Sequence, residues 1–391
     1  MPRNIVTGID IGTHRVKVVI AERSLEKNRG IPHIIGRGLA ETKGLRHGYI
    51  TNTHEAVRSI RAAISAAERK AEVQVKRAYI SIGGISLESA IATGSTIISR
   101  GDSEITEADA EQAIQNCEQA IPQHTSINRK VIHAIPLQYK IDGKTVFGRP
   151  VGMKGVRLEA RTLFITALEQ HVNDMIQAIE EAGVEVLDVM AAPIAASLVT
   201  LLQPQKIAGV VLANIGAETV SIVIFENNIP VSLQVFPFGS TDITNDIALG
   251  FKISLADAET LKTGTGPAQN ARKHFEEIVA ARVSDILELI EAHLKKIGKN
   301  GLLPAGIVFT GGGSSLPLIE DRAKTTLKLP VRTAIPSLAQ NNDGDFSDII
   351  WPVAYGLCLF GFSTNDEQSM GIRIAKQTKN KILEYLKKFL P

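Results

Sequence analysis

Cysteine is almost missing from this chain. Cys117 and Cys358 are the only two in 391 residues, too few for a thiolate metal site and too far apart to suggest a disulfide framework, so a reducing cytoplasm is expected. An excess of charge of one sign is missing too, since 43 Lys and Arg face 41 Asp and Glu for a formal charge of +2. That balance excludes a protein built on nucleic-acid phosphate contacts. The longest uncharged stretches, 189–205 and 349–365, hold 17 residues each, carry internal Pro, Gly or Gln, and fall short of the ~20 apolar residues of a spanning helix. Both are expected as buried elements. The opening MPRNIVTGIDIG reaches a glycine and an aspartate too early for a signal-peptide core, so export by that route is not expected.

Several chemical signatures are absent as well. No Walker A pattern occurs, and Gly264-Thr265-Gly266 lacks the third glycine and the strand of a dinucleotide fingerprint. Neither Ser86 nor Ser314 lies in a G-x-S-x-G context. The histidines other than His14 show no metal-ligand spacing. Hydrolase chemistry on carbon substrates therefore has no support.

What is present is a chain with 44% hydrophobic and 21% charged residues, the composition of an ordered protein, and long enough for two to four units of roughly 100–200 residues. From Ile5 to Glu22 two β-branched runs flank a polar turn, which predicts a hairpin. Residues 53–70 place Val57, Ile60, Ile64 and Ala67 at helical spacing, with Thr53 as N-cap. A strand at RAYISIGG precedes a polar stretch and a helix over Thr106–Ile121, and VIHAIPLQYKIDGKTV turns at Asp142-Gly143 as a hairpin. After ARTLFITA, a helix over 169–182 stops at Gly183 and VEVLDVM forms a short strand, so 78–166 is expected as a small α+β unit inserted into a larger α/β domain. A second hairpin, Gly209 to Asn228, follows the first by about 204 residues and predicts a duplicated architecture. Beyond it lie a helical stretch over 242–297 and GIVFTGGGSSLPLI, read as a buried strand, a glycine turn and a helix; after Phe362, STNDEQSMG reads as polar and irregular.

The two turns and the glycine run carry phosphate chemistry. Asp10-Ile11-Gly12-Thr13 offers backbone N–H groups and a hydroxyl to phosphate, with a carboxylate able to hold Mg2+ through water. His14, in the same turn, is within reach of a phosphate. Asn214 to Thr219 repeats the turn, and Gly311-Gly312-Gly313-Ser314 allows close backbone approach to a flat ligand. Together they predict a nucleotide cleft between two similar domains, as in actin and sugar kinases.

Across nearly the whole chain, the order DIGT, IGG near residue 82, PVGMKGVRLEA at 150–160, the altered second turn, ITNDIALGF, AETLK, GGGSSL and a lysine-rich end resembles the bacterial cell-division family FtsA. The inserted unit is also similar to that of the pilus-assembly relative PilM. The resemblance implies an α/β, actin-like (duplicated, ribonuclease H-like) two-domain fold with an inserted α+β subdomain and a C-terminal amphipathic helix. Its divisions here would be 1–77 with 167–205 and 346–363 (1A), 78–166 (1C), 206–240 with 302–345 (2A) and 241–301 (2B), then a linker at 364–375 and the helix at 376–391. It further implies binding of ATP with Mg2+, self-assembly into filaments on the cytoplasmic face of the inner membrane at the division septum, contact with later division proteins, and anchoring of the tubulin-like FtsZ. By position, Asp10, Gly12 and Thr13 match the first phosphate loop, Gly216 and Thr219 the second, Gly311 to Ser314 the adenosine loop, and Glu259 and Lys262 the nucleoside contacts. Arg282 is the candidate for the FtsZ tail. The alternatives are a PilM-like pilus protein and a sugar or acid kinase of the same fold.

Two features refine that expectation. The second loop has Asn214 for the family's Asp, Ala217 and Glu218 for glycines, and Ser221 for the last Asp. Glu218 near phosphate would oppose it by ~4 kcal/mol at ~4 Å and an effective dielectric of 20, so binding with weak or absent hydrolysis is expected. Residues 376–391 hold five lysines and one glutamate, a local +4 that leaves −2 for the rest. There Ile382, Leu383, Tyr385, Leu386, Phe389 and Leu390 form one helical face, and Lys379, Lys381, Lys387 and Lys388 leave or flank it. That pattern fits a helix lying on anionic lipid.

Overall fold

The computed structural model describes residues 4–23, 32–122, 126–264, 271–316, 318–334 and 349–369. β1 (Asn4–Ile11) and β2 (Arg15–Arg23) form the first expected hairpin. β3 (His33–Glu41) continues it antiparallel, and β4 (Leu45–Arg46) with β5 (Tyr49–Ile50) makes a short ribbon beyond. On the other side of β1, β6 (Arg77–Ile82) and β11 (Glu185–Ala191) run parallel, giving the order β11-β6-β1-β2-β3. The second sheet comprises β12 (Val210–Ile215), β13 (Val220–Glu226), β14 (Ile229–Phe236), β15 (Ile307–Thr310) and β16 (Val331–Thr333). Its order, β14-β13-β12-β15-β16, is that of the first sheet element for element. The expected duplication is present.

Helices bury the sheets from their faces, as mixed sheets with crossovers require. α1 (Thr53–Ala71) turns Val57, Ile60, Ile64 and Ala67 into the first core. Asn52, not Thr53, caps it by accepting from the Glu55 amide at 3.3 Å, because Asn52 holds the extended backbone that a cap needs. In the second half, α5 (Gln203–Ala208) precedes β12, α6 (Ser240–Phe251), α7 (Leu255–Thr263) and α8 (Arg272–Lys296) form a helical layer in which Leu287, Ile290 and Leu294 are buried, and α9 (Ile319–Leu327) packs on α8.

A separate four-stranded sheet has the order β7-β10-β8-β9, built from β7 (Glu88–Ile97), β8 (Arg129–Ile141), β9 (Lys144–Val146) and β10 (Arg157–Leu168). α2 (Glu107–Gln119) covers it with a core of its own around Ala113, Cys117, Leu158 and Phe164. Asp142 and Gly143 both take positive φ, +49° and +79°, the backbone of a two-residue primed turn. Two sequence expectations change here. The polar stretch before α2 contains the strand β7, whose Ser and Thr residues alternate beside β10. The inserted unit also begins after residue 82 rather than at 78, because β6 hydrogen-bonds to β1 and β11 in the first sheet.

Most of both uncharged stretches is interior, with Leu202, Gln203 and Pro204 at the end of the first exposed. α3 (Glu169–Glu181) leads through β11 to α4 (Ala192–Thr200), which packs on α10 (Pro352–Ser369). A Cβ on Gly8 would sit 2.1 Å from the Ala354 carbonyl oxygen and one on Gly356 1.9 Å from that of Ala195, so α10 touches β1 and α4 backbone to backbone. The helix also runs past Phe362 through Ser369, where an irregular linker from 364 was expected. Thr364 is buried and donates to the Phe360 carbonyl at 2.9 Å, which ties that turn to the helix. Among the described residues no helix is long and apolar enough to cross a membrane. The lysine-rich segment 376–391, from Lys379 to Leu390, lies outside the described residues.

Candidate functional site

The β1–β2 and β12–β13 turns, together with the turns after β6 and β15, converge on one cleft of about 680 Å3, the size of a small-molecule site. The hairpin turns are built alike. The Gly12 amide donates to the Arg15 carbonyl at 3.2 Å and the Gly216 amide to that of Thr219 at 2.9 Å. Thr13, His14 and Thr219 line the cleft beside them. The helix α6 starts on the second turn, where the Ser240 and Thr241 amides donate to the Gly216 and Ala217 carbonyls.

The two strand ends differ in charge. Asp10 faces Lys17 across β1 and β2, with Nζ 2.7 Å from Oδ2, while Oδ1 accepts from the Ser81 hydroxyl at 2.8 Å. Both side chains are largely buried, 15% exposed for Lys17 and 10% for Asp10. At the matching positions of the second half Asn214 faces Ser221, so no charge is present there. Lys17 was missed from the sequence, although the spacing of the hairpin gives the signal. A turn that pairs Ile11 with Val16 must pair Asp10 with Lys17 on the same face.

The glycine run forms the far wall. Gly311 has φ of +86°, and a Cβ there would meet the Asn214 side-chain oxygen at 2.3 Å. Gly312 and Gly313 continue as a 3-10 turn over 312–315 rather than entering a helix directly. Ser314 turns inward, donating to the Gly311 carbonyl at 2.7 Å, and it is Ser315 that faces the cleft. In the first half Gly83 and Gly84, the IGG of the sequence, occupy the matching turn after β6 and line the opposite wall.

Glu259 and Lys262 also line the cleft. Lys262 Nζ is 2.7 Å from Glu259 and donates to the Thr244 hydroxyl at 2.7 Å and the Ser240 carbonyl at 2.9 Å. Partial burial acts to raise the Glu259 pKa, but hydrogen bonds from Lys262 and Thr244 outweigh it and hold the carboxyl below its ordinary value. His14, on the facing wall, is pushed below its ordinary pKa by its surroundings and then by Arg15, against the pull of Glu259 and Glu41.

Three of the expected site residues have partners within the fold. Glu218 does not line the cleft; its carboxylate accepts the His47 amide of the first half, which offsets the charge that a phosphate would meet. Asp10, expected to hold Mg2+ through water, is ion-paired with Lys17, and among the described residues no cluster of three or more His, Cys, Asp or Glu is placed to ligate a metal directly. Arg282 makes a bidentate pair with Asp246, at 2.7 and 3.0 Å, tying α8 to α6. The guanidinium proposed for a partner is engaged within the fold.

Residues 211–351 match the family model "Cell division protein FtsA", and residues 84–166 match "SHS2 domain inserted in FTSA". The cell division protein FtsA of Neisseria meningitidis serogroup B is 30% identical over 85% of this chain and 84% of its own. Among solved structures, the PilM-PilN type IV pilus biogenesis complex aligns with a TM-score of 0.67 at 17% identity, over 92% of this chain and 99% of that one. MreB 5 of Spiroplasma citri bound to AMPPNP aligns at 0.54 and 11% identity, over 94% and 99%. The duplicated sheets, the inserted unit and these matches agree, and the chain belongs to the FtsA family of actin-like cell-division proteins.

Proposed function

We propose that this cell-division protein binds ATP in the cleft and acts as a membrane-bound adaptor that anchors FtsZ and assembles with copies of itself. The observation that carries the nucleotide reading is the convergence of two glycine turns on one cleft that the largely buried Lys17 also lines, with a glycine wall opposite. Turn amides and Thr13 would hold phosphate oxygens, Lys17 would balance their charge, and the wall of Glu259, Lys262 and Gly311 to Gly313 would take the nucleoside. The fit is good on two counts: a Cβ at Gly312 would meet only the Ile350 side chain, at 3.8 Å, and the Glu218 carboxylate is engaged by the His47 amide. Mg2+ would ride on the phosphates and water rather than in a protein cage. ATP supplies a phosphoanhydride whose cleavage needs an oriented water. Asn214 and Ser221 offer no base for that water, and Glu259 is neutralised by Lys262. Binding without appreciable turnover is the expected behaviour, measured by ATP titration beside a phosphate-release assay.

The membrane reading rests on the sequence of 376–391, with an apolar face and five lysines. At ~1 kcal/mol per basic residue near an anionic surface, reinforced by apolar burial, that segment suffices for peripheral binding. Full-length protein should pellet with anionic liposomes, and a chain ending at Ser369, which keeps all of α10, should stay in the supernatant. Equal pelleting would remove the tail assignment, and pelleting of neither chain would favour a PilM-like role.

For FtsZ, the helical layer remains the proposed surface, with Leu249 and Leu255, 77% and 60% exposed, in place of the engaged Arg282. Leu249→Glu should weaken binding of an FtsZ tail peptide by about tenfold. Arg282→Ala should leave that affinity within twofold and lower stability by ~1 kcal/mol.

A further inference from the structure

Glu218 stands at the tip of the second phosphate turn, where the family pattern has glycine, and its side chain crosses to the other half of the molecule. Its carboxylate accepts the His47 amide, and its own carbonyl lies 3.3 Å from His47 Nδ1. His47 presents that amide from a left-handed backbone, φ +48°, an uncommon conformation for a side-chain-bearing residue that surrounding contacts must hold. Next to it Gly48 is buried against Gly84, where a Cβ on Gly48 would meet the Gly84 Cα at 2.5 Å. The His47 carbonyl then accepts the Ile85 amide at 3.3 Å. Tyr49 stacks on His171 with ring centroids 4.7 Å apart, and His171 hydrogen-bonds Ser86 at the root of the inserted unit. From His47 to Ile85 the path from residue 218 to the insert runs through backbone.

We propose that Glu218 is a clasp across the cleft that slows nucleotide release and ties the seating of the inserted unit to nucleotide occupancy. The slowed release rests on the ATP reading of the cleft; the clasp itself does not. A charge-assisted bond between the halves opposes their separation at the phosphate end, and linkage makes the effect mutual, so a partner that steadies the root of the insert also strengthens nucleotide binding.

The test uses the full chain, a fluorescent ATP analogue with Mg2+, and amide hydrogen exchange. Glu218→Ala should release the analogue about tenfold faster than the parent and should speed exchange in segments 45–50 and 84–89. Glu218→Gln, which keeps an oxygen acceptor without the charge, should fall between them. Matching release rates within twofold for parent and Glu218→Ala, or unchanged exchange at 45–50, would overturn the clasp. If the parent holds no analogue, the ATP reading fails, and the exchange difference between parent and Glu218→Ala then decides the clasp alone.

Discussion

The two halves of the cleft share a strand order and a turn, yet only the first carries charge at the strand ends. Asp10, Lys17 and Ser81 form a bonded set in one half, and the other has Asn214 and Ser221 in the corresponding hairpin. The loss in the second half is concerted. Had Asp become Asn opposite a lysine, a cation would remain unpaired in a partly buried site, which is costly; with serine opposite, nothing is left over. A duplicated scaffold can thus keep its backbone amides aimed at a ligand while the charge is placed on one side only.

The sharpest way to break this comparison is to rewrite the first half in the residues of the second. Lys17→Met strands Asp10 and should cost about 3–5 kcal/mol of stability, read by urea denaturation, together with a loss of ATP affinity of at least ~100-fold. The double substitution Asp10→Asn with Lys17→Ser should recover most of the stability and none of the affinity; ATP binding by that double variant would show that the cation is dispensable. Next in size are the glycine walls. Gly311→Ala combines positive φ with a clash against Asn214 and should cost ~2–4 kcal/mol. Gly83→Ala, which would meet only the Ala192 Cβ at 3.7 Å, should change stability by less than ~0.5 kcal/mol. The smallest effect concerns pH. Glu259 has a folded pKa below its ordinary value of 4.5, so its contribution to stability is complete above that value and is lost as pH falls through the folded pKa. Lys262→Met removes the main support, and its thermal midpoint should fall less steeply than the parent's in acid.

Much of this fold was legible because its signals are local. The paired β-branched runs gave both hairpins, and the Asp142-Gly143 turn was written in two residues whose backbone preference is strong. β7 was hidden because its Ser, Thr and Gly alternate with little apolar contrast; its partner β10 lies more than fifty residues away and supplies the order. The start of the insert was misplaced by the same cause, since only pairing with β1 and β11 shows which sheet owns β6. Within the site, glycines and Thr13 could be read from the motif. Lys17 and the direction of Glu218 could not be read from composition, because each depends on a register or on a residue from the other half.

The seat of α10 sets an order on how the molecule is made. Its side chains from Val353 to Phe362 complete the core of the first half, against strands encoded in the first 82 residues. The core on one face of the second sheet draws on residues 211–331, while Leu212, Val223, Phe225 and Val308 on its other face join the core of the first half. During synthesis from the amino terminus, the half that is translated first must wait, with β1 unsupported on one face, while the half translated later can already close the helical face of its sheet. The cleft, which is lined by Asp10 on β1 and by Ile350 beside Gly312, is then among the last features to form, and a ribosome stalled before residue 352 would expose a chain with one sheet covered on its helical face and no cleft.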